Sequence, residues 1–347
     1  MKKLVLSFIV LFTAIQISAQ RSYHSPFFYE AELNDLSKPN EAIKASKVKK
    51  TKTITTNKKG AHLSKIDYFN ENGYLVGGEH YDRKGNITYA FEVHFNDAYQ
   101  PIRLVEKGNR NPRVTLYQYH SSGKLSQIEV YIKDVLQFKH TKTFNNQNKL
   151  VETCAYNKKG LTSKSIFTYD DDGKMSLSET FNGKGELIRR YDYSCAQEGE
   201  VVNLSKEEKK VCTFDAYENG FLIKIRETID HKGNVNRILD KFSAGDTSLV
   251  ETKYQNHKGQ TTFVVRYQNN KETEMINFDE KGQERTRWVY AYNQKWQKTM
   301  IQFWYKGTFS NETRWYYNEF GLCVRTEFSN AKQKNHLIYE TEILERF

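Results

Sequence analysis

An all-β fold is the reading that three observations support. Aromatic and β-branched residues crowd a chain poor in helix formers, with 23 Tyr and 21 Phe among 347 residues and a hydrophobic content of 38%. That composition suits half-buried strands. A short phrase recurs at intervals of about twelve residues: an aromatic, Asp or Asn, a Gly three residues on, and an aliphatic two beyond it, as in Tyr169-Asp170-Asp171-Asp172-Gly173-Lys174-Met175 and Phe181-Asn182-Gly183-Lys184-Gly185-Glu186-Leu187. The segment after each phrase alternates. Leu187, Arg189, Tyr191 and Tyr193 fall on one face, and Ile188, Arg190 and Asp192 on the other.

The phrase is a turn followed by a strand. Asp or Asn bonds backbone two residues on, and Gly supplies the left-handed position that closes the turn. A period of two over the next seven residues is the signature of a strand. Consecutive strands are then antiparallel neighbours.

In chain order, Met1-Lys2-Lys3, the apolar run Leu4 to Ile17 and the small residues Ser18-Ala19 read as a signal peptide over 1–19, with cleavage after Ala19. The chain is therefore expected to be exported to the periplasm, cell surface or surroundings. Residues 20–47 carry no repeat; Phe27-Phe28-Tyr29 suit packing on the first strand, and Pro39 to Ile43 a short helix. A first β-repeat segment spans 48–194, an interrupting loop with the charged run Lys206 to Lys210 spans 195–216, and a second segment spans 217–347. The anchors run from Phe69, Tyr81 and Phe95 through Tyr119, Phe144, Tyr169 and Phe181 to Tyr292, Tyr305, Tyr317 and Phe328. They predict about 22 short antiparallel strands in ~12-residue strand-turn units. A flat sheet of that length, on the order of 100 Å, would accumulate twist, so a long twisted or coiled sheet is expected.

Tyr81-Asp82-Arg83-Lys84-Gly85-Asn86-Ile87 and the Tyr169 phrase resemble the Tyr-Asp (YD) repeats of Rhs and teneurin-type proteins, with the Phe181 phrase a looser copy. The likeness extends over residues 50–335. It implies a long β-sheet that spirals. The repeats are expected to be a divergent form of that family without a toxin domain.

Chemistry is sparse. Nine Lys-Gly pairs fall in predicted turns, among them Lys59-Gly60, Lys84-Gly85, Lys281-Gly282 and Lys306-Gly307. Turns of alternate units share a margin, so these lysines are expected to form rows. The formal charge of +11 drops to +9 when Lys2 and Lys3 leave with the signal peptide. In an exported protein such charge points to anionic polysaccharide, lipid head groups or an acidic envelope protein rather than nucleic acid; the alternative is a charge that only keeps the sheet soluble. Trp288, Trp296, Trp304 and Trp315, with Tyr292 and Tyr305 among them and Lys281 and Lys306 nearby, are either a sugar-stacking ligand site or a C-terminal aromatic cap. Cys195 and Cys212 flank the interruption and are expected to form a disulfide, while Cys154 and Cys323 are expected to be separate thiols. Asp170-Asp171-Asp172-Gly173 lacks the spacing and distal Glu of a calcium loop. His231 and His257 occupy equivalent turns beside lysines. No nucleophile elbow, zinc-protease or phosphate-loop motif occurs. The chain is thus read as a non-enzymatic binding scaffold, with no catalytic residues, no metal, no cofactor and no transmembrane segment once the signal is removed. An assembly component acting through sheet edges is the second reading, and a glycan hydrolase the third.

Overall fold

The computed structural model describes residues 30, 33–108, 111–193, 205–218, 220–243, 248–331 and 336–347. The expected signal peptide over 1–19, Phe27-Phe28-Tyr29 and Cys195, and with it the expected Cys195–Cys212 disulfide, lie outside these residues. After the helix α1 (Glu41–Ala45) come β1 (Val48–Asn57), β2 (Gly60–Phe69), β3 (Leu75–Tyr81), β4 (Ile87–Phe95), β5 (Pro101–Gly108) and β6 (Arg113–Tyr119). Next are β7 (Leu125–Ile132), β8 (Val135–Phe144), β9 (Leu150–Asn157), β10 (Gly160–Tyr169), β11 (Met175–Asn182) and β12 (Leu187–Asp192). The second half holds β13 (Glu208–Glu218), β14 (Phe221–Ile229), β15 (Val235–Phe242), β16 (Leu249–Gln255), β17 (Thr261–Gln268) and β18 (Lys271–Phe278). It ends with β19 (Glu284–Tyr292), β20 (Lys298–Tyr305), β21 (Thr308–Tyr317), β22 (Cys323–Asn330) and β23 (His336–Arg346). β13 occupies much of the stretch expected to be an interrupting loop.

Each strand pairs with the next, and β23 pairs with β1 from Val48↔Arg346 to Thr56↔Ile338. The all-β array is therefore a closed 23-stranded barrel, not the open coiled sheet the periodicity suggested. The repeat phrase supplies a reason. At hairpin after hairpin the ladder register shifts at the anchor aromatic itself, between Tyr68 and Phe69, His80 and Tyr81, His94 and Phe95, Gln118 and Tyr119, and Thr168 and Tyr169. A bulge bends its strand and raises the local twist. Repeated at regular intervals in one direction, it curls the sheet until its ends meet.

Parity then demands one exception. A closed ring with an odd number of strands cannot be antiparallel at every junction. Here β23–β1 is antiparallel and the exception is β12–β13, which runs parallel over Arg190↔Glu208 to Asp192↔Lys210.

The wall has two unlike faces. One carries a ladder of cross-strand ion pairs that follows the strands around the ring: Lys139–Glu129 at 3.3 Å, Arg237–Glu227 at 2.7 Å, Arg287–Glu274 at 3.3 Å, Arg325–Glu340 at 3.4 Å and Lys52–Glu342 at 2.8 Å are members. Pairs this exposed add little individually. They do fix register, since a slip of one residue would turn every charge to the other face.

The second face is richer in aromatic and Thr side chains and holds the main core. Val93, Leu104, Tyr117, Ile128, Val130 and Phe138 from β4 to β8 are buried there with Leu33 and Leu36. A smaller cluster of Ile43, Val48 and Leu322 seats α1 at one end of the barrel, where Asn40 caps the helix by accepting from Ala42 N and Ile43 N. Elsewhere most side chains on both faces stay half-exposed. That fits a ring wider than the 16–18-stranded barrels that already enclose water.

Candidate functional site: a lysine-bearing rim

The Lys-Gly turns sit on one rim of the barrel. From β1 to β11 they follow odd-numbered strands (Lys59, Lys84, Lys159, Lys184), with Lys107 at the end of β5; from β14 onward they follow even-numbered ones (Lys232, Lys258, Lys281, Lys306). In an antiparallel meander those two sets would lie at opposite ends. The parallel β12–β13 junction reverses the direction of every later strand, and so brings all nine pairs to the same end. The β7–β8 tip, which has no Lys-Gly, adds Lys133 there.

One local device presents these lysines. The Asx side chain opening the turn accepts the backbone N–H of the lysine two residues on: Asn57 from Lys59 at 2.9 Å, Asp82 from Lys84 at 2.8 Å, Asn157 from Lys159 at 2.7 Å, Asp230 from Lys232 at 2.9 Å and Asp279 from Lys281 at 2.9 Å. The backbone is fixed while the ammonium stays in solvent. Lys58, Lys59, Lys84, Lys133, Lys159, Lys184, Lys232, Lys258 and Lys281 are exposed. None of them has an ion pair shown among the described residues. Carboxylates stand among them. Asp230 is held down to about 2, first by the Asn234 side chain, so it remains charged across ordinary pH. Neighbouring tips recur every second strand, about 10 Å apart. At Gly183 the tip of β11–β12 lies against the Leu161 carbonyl so closely that any side chain would collide with it.

On the other rim the last turn residue often reaches the next turn: Gln100 Nε2 donates to Gly123 O at 2.9 Å, Lys124 Nζ to Asn148 O at 2.6 Å and Gln297 Nε2 to Gly321 O at 2.9 Å. On the lysine rim Gln260 Nε2 makes the same contact, to Glu280 O at 3.3 Å. Lys149 lies over the Tyr169 ring at 5.3 Å, and Lys295 Nζ donates to Glu319 O at 2.9 Å. The anchor tyrosines tie back to the preceding hairpin, with Tyr119 donating to Pro101 O, Tyr169 to Leu150 O, Tyr292 to Glu272 O and Tyr317 to Lys298 O. Lys124 and Lys295 on this rim brace neighbouring turns as struts, whereas the exposed lysines of the first rim make no such contact among the described residues.

The aromatic residues singled out from the sequence do not converge. Trp288 pairs across to Phe303 on the aromatic face, centroids 5.2 Å apart, and Trp315 shares that face. Trp304 pairs with Arg287 on the ion-pair face and meets Phe309 edge-on at 5.5 Å. Trp296 and Tyr292, 6.1 Å apart, stand at the strut-bearing rim. Tyr305 belongs to the lysine rim with Lys281 and Lys306, and its ring lies 5.7 Å from the Lys306 ammonium. Among the cysteines, Cys154 and Cys323 are separate thiols, and Cys212 is buried on β13.

Trp296 takes the left-handed position, φ 56°, that Gly fills in the turns at Gly73 and Gly173. An L side chain there is strained. Trp296→Gly is expected to raise stability by about 1 kcal/mol, read as an upward shift in the urea midpoint; an unchanged or lowered midpoint would mean the indole's contact with Tyr292 outweighs the strain.

A family model described as "Uncharacterised protein" matches residues 109–219. The chain is 24% identical to teneurin-1 of Mus musculus over 194 residues, which is 52% of this chain and 7% of that protein's length. Among solved structures, a porin-like protein from Bacteroides uniformis aligns at 10% identity over 86% of this chain and 98% of its own, with a TM-score of 0.26. Another porin-like protein, from Bacteroides vulgatus, aligns at 9% identity over 86% and 99%, with a TM-score of 0.21. Both structural likenesses are distant, and the likeness to teneurin-1 over half of the chain is one of sequence.

Proposed function

We propose that this is an exported, non-enzymatic scaffold of YD-like repeats that holds an anionic polymer of the cell envelope or its surroundings, acidic polysaccharide first among them, along its lysine rim. One observation carries the reading: a parallel junction in an otherwise antiparallel ring brings all nine Lys-Gly pairs to one end. Regularly spaced ammonium groups on rigid turns bind a polyanion through many weak contacts, each screened by salt. The edge-pairing role fits less well, because β1 and β23 cover each other.

Binding to a uronate-rich polysaccharide is expected at low ionic strength, with little to neutral dextran and release as salt rises. Replacing Lys59, Lys84, Lys159 and Lys184 by Gln should weaken it roughly tenfold or more, as each lost contact removes part of the electrostatic attraction. The same change at Lys124, Lys149, Lys174 and Lys295 on the other rim should leave affinity within about twofold. Equal losses from both sets would sink the rim as the binding surface.

A further inference from the structure

The lysine rim has a second component that charge alone does not explain. Ile87, Val135, Leu161 and Ile188 are 52%, 55%, 37% and 51% exposed. Each is the first or second residue of its strand just past a turn on that rim: Ile87 opens β4, Val135 opens β8, Leu161 follows Gly160 in β10 and Ile188 follows Leu187 in β12. Lys84, Lys133, Lys159 and Lys184 stand beside them in sequence, all exposed. The arc from β3 to β12 therefore alternates ammonium groups with bare aliphatic side chains at the outermost level of the barrel.

A hydrated acidic polymer offers nothing to such aliphatics. A lipid surface does, since anionic head groups take the lysines and the acyl boundary takes the apolar tips. The wall itself is unsuited to lipid. Its ion-pair face carries the ladder, and the opposite face carries Lys65–Asp67 at 2.8 Å, the Glu106–Arg113 pair and the cations Arg189 and Lys209 around Tyr191. A spanning barrel needs an outward band free of charge, so contact with a bilayer has to be made end-on, by the rim.

We infer that the β3–β12 arc of the lysine rim docks the barrel end-on against an anionic lipid surface, with Ile87, Val135, Leu161 and Ile188 entering the head-group layer. This rests on the rim being a polyanion-binding surface, and adds an anionic lipid surface to the polymer that the lysines hold. The test uses the chain from residue 20, the form export would leave, and vesicles of phosphatidylglycerol with phosphatidylcholine or of phosphatidylcholine alone. Cosedimentation with the anionic vesicles is expected, and little with the zwitterionic ones. The variant Ile87→Ser/Val135→Ser/Leu161→Ser/Ile188→Ser changes only exposed side chains. It should bind anionic vesicles roughly tenfold more weakly while keeping its affinity for uronate-rich polysaccharide. Polysaccharide binding without vesicle binding, or a quadruple variant that still binds vesicles like the wild type, would overturn the lipid proposal and leave the rim reading standing. Loss of both ligands at low salt in the wild type would overturn the two together.

Discussion

Arg113→Met is expected to destabilise the barrel by roughly 3–5 kcal/mol, the cost of stranding a buried carboxylate. Arg113 and Glu106 pair across the β5–β6 hairpin with side chains only 10% and 12% exposed, and the Tyr89 hydroxyl donates to the other Glu106 oxygen at 2.7 Å. Removing the guanidinium leaves Glu106 with a neutral donor in place of a full positive charge. The double variant Glu106→Leu/Arg113→Met removes both charges and should recover most of the loss, because an apolar pair of similar volume spares the desolvation of two ions. Urea unfolding of the single and double variants checks this; a single variant within 1 kcal/mol of wild type would mean the site rehydrates. Pairs on the ion-pair face should behave differently. Arg266, 52% exposed beside Glu251 and Glu274, is open to water, and its replacement should cost no more than about 1 kcal/mol.

That contrast says where the ring's stability resides. The ladder specifies register around the circumference, whereas burial is concentrated under residues 33–36 and at α1. Between these the wall is held chiefly by backbone hydrogen bonds and by turn-to-turn struts, most of them on one rim. The β12–β13 junction, with only three paired residues, is its shortest seam. Arg190 spans that seam, within 3.7 Å of Glu179 on one side and 3.6 Å of Glu208 on the other.

The elements were largely legible in the sequence because they rest on local chemistry. Phe69, Phe95, Tyr119, Phe144, Tyr169 and Tyr317 each end a strand, as the Asx-Gly phrase requires. Closure was not legible. It depends on curvature summed over all the bulges and on a pairing between β1 and β23 that no local pattern encodes. The lysine rows were visible as alternate turns. Their union on one rim was hidden, because the repeat loses its phase near residue 195 and only the parallel junction restores it. The tryptophans misled for a simpler reason. Nearness in sequence says nothing about face, and a period of two sends Trp288 and Trp304 to opposite sides of adjacent strands.

Phe138→Ala is expected to cost about 3–5 kcal/mol, the range for truncating a fully buried aromatic. Phe138 is 2% exposed and sits in the cluster with Ile128, Val130, Leu33 and Leu36. The ring has few such sites, so this one should carry an unusual share of the whole. The same truncation at Phe320, 43% exposed in a turn of the strut-bearing rim, should cost less than 1 kcal/mol. A second readout separates core loss from simple weakening. Residues 33–36 dock on the wall through this cluster, so the Phe138 cavity should free them before the strands unfold. Amide exchange at Leu36 would then rise well below the main urea transition in Phe138→Ala, yet follow that transition in Phe320→Ala. Exchange at Leu36 that tracks global unfolding in both variants would mean the docked segment and the ring form one cooperative unit.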